Sequence, residues 1–389
     1  MFKKLGVLIL LLLLIGLFIG AVFFFGYKVP AVDKDLNKIV SHAPYKISNE
    51  TQSFHDGLFI ADLHADTLLW RRNPAKRYNY GQTDLPRLKE GGVNLQVFAT
   101  VTKSPRGLNF SNNSADAPDN ITLLAKAQLW PPRTWDSIYE RAKYQSERLH
   151  KIESRPANNF KIIRTKSDIE TAKDGTLLGL LATEGAHPLE SDLANIDRLY
   201  DAGFRMMGLQ HFFDNRLGGS LHGVKKGGLT KFGEDAVRAM AAKNIIIDVA
   251  HSSYDSVRDT LAVTDAPIII SHGGIRGGCK ASHARNLPND LLQKIAQRRG
   301  LIGVGYFHPA VCDATPKGIA KSLIASVNLL GEDVIALGSD FDGSVTTHLD
   351  TSELAIITQE LRRQGMSERV IKKVMGGNVK RFLLENLPE

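Results

Sequence analysis

The sequence predicts a (β/α)8 barrel of the TIM type, preceded by one N-terminal transmembrane helix. Eight short runs rich in Ile, Val and Leu, bounded by Gly, Pro, Asn or Ser, indicate strands that are buried on both faces, as in parallel sheets. Helical patterns separate most of these runs, and this alternation favours a closed barrel over an open sheet. No G-x-G-x-x-G or Walker sequence follows a strand, so the pattern does not favour a nucleotide-binding fold.

The stretch from Leu5 to Tyr27 is uncharged and predicts a membrane anchor within residues 1–28. About 20 apolar residues suffice to span a bilayer as a helix. A cleaved signal peptide is the alternative, but its apolar core is usually about 7–15 residues long and ends at small residues. Here the stretch ends in FFFGYKVP, so we expect an uncleaved anchor. The C-terminal RFLLENLPE carries no apolar tail of the kind that a GPI lipid anchor requires.

Composition and charge exclude several classes of protein. A hydrophobic content of 43% and a charged content of 23% are ordinary for a globular domain. The net charge is +8, but the basic residues are scattered, and only RRNPAKR at 71–77 forms a cluster, so nucleic acid is not an expected partner. Cys279 and Cys312 are the only cysteines, too few for a disulfide scaffold or a Cys-ligated zinc site.

Taken in order, residues 29–56 predict a polar, irregular lead-in, and residues 57–389 predict the barrel. A segment at about 100–175, a polar loop followed by helices, predicts an insertion above the sheet, where lids and specificity elements are often found. The predicted strands cover 57–63, 92–99, 176–183, 204–210, the two runs that end at His251 and His272, 300–307 and 334–339. Helices are predicted over about 192–202, 234–243, 287–300, 318–330, 352–364 and 367–384, with another between His251 and the sixth strand.

Chemically capable residues follow six of the eight predicted strands. In parallel α/β folds the carboxyl ends of the strands are where catalytic and binding groups are assembled. Each residue also has a structural interpretation: a strand-end cap, an arginine partner for the buried carboxylate, or a core histidine, and Asp342 could act in place of Asp340. His187, His222, His283 and His308 lie in predicted loops and receive no metal role. The strand-end residues are His64 with Asp66, Glu184, His211, His251, His272 and Asp340.

Carboxylates combined with imidazoles, without thiolates, suit Zn²⁺, with Mn²⁺ or Co²⁺ as replacements. Five or six ligands exceed the three or so that one catalytic zinc takes from a protein. Two metals bridged by a carboxylate would use the whole set and would lower the pKa of a shared water, giving a bridging hydroxide at neutral pH. The predicted reaction class is metal-assisted hydrolysis of an amide or ester.

The motifs DLHAD, LLATEGAH, LQHFFDN, IDVAHSS, PIIISHGG, RNLPNDLL and ALGSDFDG resemble the membrane dipeptidase (renal dipeptidase) family, metallopeptidase family M19. The resemblance extends from about residue 55 to the C-terminal GGNVKRFL and implies a barrel of the metal-dependent amidohydrolase kind. The HxD opening, rather than the HxH of many related barrels, is typical of this family. Cys279 and Cys312 also resemble a disulfide pair of animal members.

The resemblance implies a role for each site residue. His64, Asp66 and Asp340 would hold one zinc, His251 and His272 the other, and Glu184 would bridge both. His211 would contact the substrate and stabilise the tetrahedral oxyanion, and Asp340 would accept a proton from the bridging water and pass it to the leaving amine. Arg285 would receive the C-terminal carboxylate of the substrate, and its neighbour Asn286 is a further candidate substrate contact.

The leading hypothesis is therefore a zinc-dependent dipeptidase, with its catalytic domain on the outer side of a bacterial membrane or in the periplasm. The alternative is a binuclear amidohydrolase for another small amide, a lactone or a β-lactam. A third hypothesis, a barrel that has become an inactive receptor, is disfavoured because every predicted ligand is intact. A homodimer is one expectation for such a barrel, although no sequence feature decides it.

Overall fold

The computed structural model describes residues 5–6, 9–11, 13–16, 20, 24–277 and 279–389. The predicted membrane span at Leu5 to Tyr27 therefore falls partly outside the described residues. Within the described ranges, no helix is both long enough and apolar enough to cross a bilayer. A π-helical turn, Phe24–Lys28, leads into the helix Val29–Leu36.

A parallel barrel forms the body of the protein, as the sequence predicts. The strands are joined in the order β7-β6-β5-β4-β2-β1-β9-β8, and every pairing is parallel. A further parallel bridge between Ile270 and Ile302 joins the two ends of this series. Strand β3 pairs only with β4, outside the series. The strands are β1 Ile60–Ala65, β2 Val93–Val101, β3 Phe160–Ile162, β4 Leu177–Glu184, β5 Phe204–Gly208, β6 Ile246–Asp248, β7 Ile268–Ile269, β8 Ile302–Val304 and β9 Ile335–Leu337.

Helices cover the outside of the barrel close to the predicted positions. One difference concerns the last predicted helix, over 367–384, which is interrupted by a π-helical turn at Lys373–Gly377. A Cβ at Gly376 would lie 2.3 Å from the Phe59 carbonyl oxygen, so glycine lets this turn approach the start of β1. The α-helices are Val29–Leu36, Asn49–Asp56, Leu85–Glu90, Asn120–Ala127, Arg133–Asp136, Ile138–Glu153, Lys166–Glu170, Ala194–Asp201, Lys231–Ala242, Tyr254–Val263, Lys280–Arg285, Asn289–Gln297, His308–Val311, Pro316–Leu330, Ala355–Arg363, Glu368–Lys372 and Asn378–Asn386.

Burial on both faces of the strands explains their continuous apolar sequences. Leu178 and Leu180 of β4 belong to one buried cluster, whereas Leu177 and Leu181 belong to a second cluster that includes residues of the surrounding helices. Side chains two residues apart share a face of a strand. Glu184 therefore continues the face of Leu178 and Leu180 at the carboxyl end of the strand, where the apolar run stops.

The prediction of an irregular lead-in at 29–56 is wrong. This segment contains the helices Val29–Leu36 and Asn49–Asp56, and both lie against the barrel. The second helix is capped by Ser48, whose hydroxyl accepts from the Thr51 amide, and its His55 Nδ1 lies 2.8 Å from Thr358 Oγ1. Both helices are only eight residues long, so each shows too few turns for a helical period to be recognised in the sequence.

Cys279 and Cys312 form a disulfide across a sequence separation of 33 residues, which confirms the implied pairing. Cys279 directly precedes the helix Lys280–Arg285, and Cys312 directly follows His308–Val311. The bond thus fixes the helix that carries Arg285 to the segment that follows β8.

We expect the double variant Cys279→Ser/Cys312→Ser to lower the free energy of unfolding by about 2–4 kcal/mol, because the cross-link restricts the unfolded chain. Denaturant unfolding of the full-length chain, with and without a reductant, measures this change. The reductant should shift the wild-type midpoint toward that of the variant and leave the variant unchanged. Equal midpoints for both proteins without reductant would contradict the expectation.

Candidate active site

Seven predicted site residues meet at the carboxyl ends of the strands. His64 and Asp66 come from the end of β1, and Glu184 ends β4. The others follow β5, β6, β7 and β9. All seven are buried, with at most 7% of any residue exposed. Their ligand atoms form three overlapping groups that could hold a metal ion, with the atoms of each group within 4.8 Å of one another: His64, Glu184 and His272; Glu184, His211 and His251; and His64, Asp66 and Asp340.

One carboxylate oxygen, Glu184 Oε1, occupies the centre of the cluster. It lies 3.1 Å from His251 Nε2, 3.3 Å from His211 Nε2 and 3.4 Å from His272 Nε2. The Nε2 atom of His64 is 3.6 Å away. A carboxylate that bridges two metal ions must contact the ligands of both ions. Glu184 has such a position, between His64 on one side and His251 and His272 on the other.

Ser271 orients two of the histidines. Its hydroxyl donates to Asp248 Oδ2 at 2.6 Å and lies 3.2 Å from His64 Nδ1 and 2.8 Å from His272 Nδ1. Because the single hydroxyl proton goes to the carboxylate, both rings donate from Nδ1 to the serine oxygen. When these rings are neutral, their Nε2 atoms are free of protons and present lone pairs to the cluster, which is the tautomer of a metal-ligating histidine.

The electrostatics of the cluster favour a positive charge at its centre. Burial opposes a charge on His64, but Asp66, Glu184 and Asp340 outweigh it and raise the pKa of His64 to about 10. Burial, together with Glu184, raises the pKa of Asp66 to about 6. His64 Nε2 and Asp66 Oδ1 are also buried without a hydrogen-bond partner among the described residues. Buried carboxylates beside unpartnered imidazole nitrogens are ligands suited to divalent cations such as Zn²⁺.

Arg285 places a second kind of charge at the same site. The residue is 1% exposed, and its guanidinium donates to the carbonyl oxygens of Ala250 and His272, both at 2.8 Å. Burial lowers its pKa, because desolvation disfavours the charged form. It forms no salt bridge within the described part of the chain, so a ligand carboxylate could provide its counter-charge.

The cavity at this site has a volume of about 170 Å³. Arg285 and the ligand residues Asp66, Glu184, His211, His251, His272 and Asp340 form one part of its lining. The rest of the lining is largely apolar, and Leu108, Phe110 and Ile121 of the insertion contribute to it. A larger cavity of about 810 Å³, lined in part by Lys103, His187 and Phe213, contains none of the predicted ligands, so size alone does not identify the active site.

Asn286 is not among the residues that line the cavity. Its amide nitrogen donates to the carbonyl oxygens of Ile275 and Ala310, at 2.9 and 2.8 Å, and thereby holds the loop beyond Arg285. Direct binding of substrate by Asn286 therefore stays a prediction without geometric support. His222, although given no role, lies close to the site: its ring stacks on Phe212 with centroids 4.8 Å apart.

The membrane dipeptidase model, peptidase family M19, matches residues 49–386. The chain belongs to this family. The match covers the second lead-in helix and the whole barrel, and it confirms the predicted family and the metallopeptidase class.

Dipeptidases of fungi are similar in sequence to this M19 chain. Dipeptidase aclJ of Aspergillus oryzae is 27% identical over 350 residues, which cover 83% of this chain and 77% of that protein. Dipeptidase verJ of Clonostachys rogersoniana is 27% identical over 259 residues. This match covers 64% of this chain and 66% of that protein, which is slightly under two thirds of its length. A metallopeptidase from Rhodobacter sphaeroides, solved with a phosphinate mimic of the dipeptide L-Ala-D-Ala, has the same fold, with a TM-score of 0.68. The two sequences are 23% identical, and the match covers 85% of this chain and 99% of that chain.

Sequence reasoning missed Ser271 and Asp248, which orient the histidines of this M19 site. A signal was present, because both are polar residues in or beside apolar strands: Asp248 ends β6, and Ser271 directly precedes His272. Their hydrogen bond, however, joins two different strands and depends on the register between β6 and β7.

We expect Ser271→Ala to weaken metal binding about 10- to 100-fold, because loss of an outer partner of a ligating histidine typically has this effect. Competition with a chromogenic chelator measures the affinity. Ser326→Ala is the matched control: Ser326 is equally buried, but its hydroxyl donates to the Ser322 carbonyl within the helix Pro316–Leu330. Equal affinities for the wild type and Ser271→Ala would argue against the assigned role.

Proposed function

We propose that this M19 protein is a zinc dipeptidase, with two zinc ions per chain, that acts on dipeptides with apolar side chains. The observation that carries the proposal is the arrangement of Glu184 Oε1 among four imidazole nitrogens, next to a buried arginine without a carboxylate partner. His64, Asp66 and Asp340 would hold one ion, His251 and His272 the other, and Glu184 both. When bound, the two ions supply a nucleophilic hydroxide at neutral pH.

Arg285 is the residue that selects a free carboxylate. A guanidinium binds a carboxylate through paired hydrogen bonds, and burial strengthens the interaction by excluding water. Two of its donors already bind backbone carbonyls, which hold the group in one orientation. Since the ligand cluster lines the same small cavity, the carboxylate of a bound substrate would lie near the scissile amide, as it does in a dipeptide.

His211 is positioned to stabilise the oxyanion that forms on the scissile carbonyl. Its Nδ1 lies 3.4 Å from the Lys103 carbonyl oxygen, and its Nε2 lies 3.3 Å from Glu184 Oε1. His211 also lines the cavity together with Glu184 and Arg285, so its ring lies where a substrate carbonyl would bind. A donor held at the site of developing charge stabilises the transition state more than the ground state.

Asp340 is the residue proposed to move the proton. It would accept the proton of the attacking water and transfer it to the leaving amine. Asp340 lines the cavity together with Arg285, and it is 7% exposed, so it is accessible to a substrate bound there. Its position next to the substrate pocket distinguishes it from His64, which is 1% exposed.

The rest of the cavity indicates the class of substrate side chain. Leu69, Leu108, Phe110, Phe212 and Phe307 are among its apolar lining residues. Apart from Arg285, every charged or titratable residue of the lining belongs to the predicted ligand and catalytic set. A charged substrate side chain would lose its hydration here without gaining a partner, which is unfavourable.

A panel of substrates tests the proposed function on the full-length chain. It comprises an apolar L,L-dipeptide, the matching L,D-dipeptide, the L,L-dipeptide amidated at its C-terminus, a tripeptide, and a dipeptide with an aspartate side chain. We expect rapid hydrolysis of the apolar free dipeptides only, loss of activity on chelation, and recovery with zinc at about two ions per chain.

Other outcomes would contradict particular parts of the proposal. Equal hydrolysis of the amidated dipeptide would indicate that the substrate belongs to another class of small amide. Equal hydrolysis of the aspartate dipeptide would contradict the apolar preference alone. Full activity of a metal-free sample, verified by elemental analysis, would contradict the mechanism.

We expect Arg285→Met to reduce kcat/KM for a free dipeptide by about 100-fold, because a buried charge pair with the substrate is lost. Turnover of the amidated dipeptide should change little. Arg205→Met is the matched control, since Arg205 is also buried and also donates to backbone carbonyls, those of Arg164, Tyr200 and Phe204. Equal losses of kcat/KM on both substrates would indicate that Arg285 has only a structural role in the site.

We also propose that residues 1–28 anchor the protein in a membrane with the barrel outside the cytoplasm. The uncharged stretch from Leu5 to Tyr27 supports the anchor. The disulfide between Cys279 and Cys312 supports the location, because such bonds persist in oxidising compartments.

A further inference from the structure

The loop after β9 carries Asp340 in an unusual backbone conformation. Three alternate residues have left-handed backbone: Asp340 with φ of +64°, Asp342 with +62° and Ser344 with +61°. For residues other than glycine, such a conformation is strained and persists only where surrounding contacts impose it. Ser344 and Val345 also line the active-site cavity, so the shape of this loop affects both a catalytic residue and the cavity wall.

Part of the restraint comes from the barrel itself. Trp70 Nε1 donates to the Asp342 carbonyl at 2.7 Å. Gln82 forms a reciprocal pair with Asp342: the Gln82 amide donates to Asp342 Oδ1 at 2.8 Å, and the Asp342 amide donates to Gln82 Oε1 at 2.7 Å. Gln82 Nε2 also donates to the Val345 carbonyl at 2.7 Å. These contacts hold the loop from one side.

The lead-in holds the same loop from another side. The Ser344 amide donates to Asn37 Oδ1 at 2.9 Å. Two backbone hydrogen bonds follow, from the Thr347 amide to the Lys38 carbonyl at 3.0 Å and from the Val40 amide to the Thr347 carbonyl at 2.8 Å. Asn37 is 1% exposed, whereas Ser344 is exposed, so the hydrogen bond between them is partly buried.

A buried ionic link reinforces these hydrogen bonds. Arg72 lies between two carboxylates: its Nε is 2.7 Å from Asp33 Oδ2, and its Nη2 is 2.8 Å from Asp342 Oδ1. Asp33 also accepts from Asn37 Nδ2 at 2.8 Å. Asp33, Arg72 and Asp342 are each at most 4% exposed. Replacing Asp33 would leave Arg72 paired with Asp342 alone and would remove the acceptor that holds Asn37 Nδ2.

We propose that residues 33–40 of the lead-in are a positioning element of the active site, in which Asp33 and Asn37 hold the loop that carries Asp340. The segment lies ahead of the barrel and outside the range matched by the family model, which begins at residue 49. The inference rests on the proposed function, because it assumes that Asp340 acts on the substrate. Asp33 and Asn37 touch none of the predicted ligands and do not line the cavity themselves, and Asn37 reaches the site through Ser344 of the loop, so both residues act through the loop.

The test compares Asp33→Asn and Asn37→Ala with Asp35→Asn in the full-length chain. Asp35 lies on the same helix, Val29–Leu36, but is exposed, so its variant makes the same charge change without touching the loop. Hydrogen exchange of peptides covering 338–347, metal affinity, kcat and KM for an apolar dipeptide, and the unfolding midpoint are measured on each protein.

We expect both buried variants to accelerate exchange in 338–347 and to lower kcat about 10-fold, with KM changed less than about 3-fold. Asp35→Asn should match the wild type in every measurement. Faster exchange with unchanged kcat would overturn the proposal, because the lead-in would then be structural only. A lower kcat with unchanged exchange would also overturn it, because the effect would not pass through the loop.

Two features of the test distinguish failure of this proposal from failure of the proposed function. If the wild type hydrolyses no dipeptide, the proposed function fails, whereas exchange and metal affinity still report whether the lead-in holds the loop. Asn37→Ala removes one neutral hydrogen-bonding side chain, so it remains informative if Asp33→Asn, which removes a buried ionic contact of Arg72, lowers the unfolding midpoint too far for assay.

Discussion

Glu184 ends a strand that is apolar up to its last residue, and its carboxylate is almost fully buried among imidazole nitrogens. A carboxylate in this environment is stable only with compensating positive charge. The histidines provide only part of that positive charge. Ser271 and Asp248 orient two of them so that, in the neutral form, their unprotonated Nε2 atoms point toward the same centre. The site is therefore suited to bind cations. The barrel forms this site by bringing together residues that are distant in sequence.

Supports from outside the barrel sheet complete the site. The disulfide holds the helix that ends in Arg285, and the insertion adds Leu108, Phe110 and Ile121 to the cavity lining. The lead-in contacts the loop that carries Asp340. Arg285 and Asp340 both lie outside the strands, so the disulfide and the lead-in act where the sheet makes no pairing. The active site thus depends on segments that a minimal barrel would not contain.

The strands and most helices could be predicted because each is recognisable over a few neighbouring residues. Apolar runs bounded by Gly, Pro or Asn show a buried strand, and the residue after each run is the first that can leave the core. Interactions between distant segments could not be predicted in this way. Asp33 and Asn37 look like ordinary polar residues of a short helix, and only the fold places them against Arg72 and Ser344. The three-residue β3 is too short to show a period.

The sequence by itself determined the parallel barrel, its family and which polar side chains follow the strands, because these depend on local patterns and ordered motifs. Tertiary structure alone decided the relations among them. It placed four imidazole nitrogens around one oxygen of Glu184, set the tautomers of His64 and His272 through Ser271, and brought the lead-in under the Asp340 loop. It also turned the amide nitrogen of Asn286 toward backbone carbonyls, although Asn286 directly follows Arg285 in sequence. The physical reason is that hydrogen bonds and burial depend on distances between atoms, and strand register and chain closure set those distances.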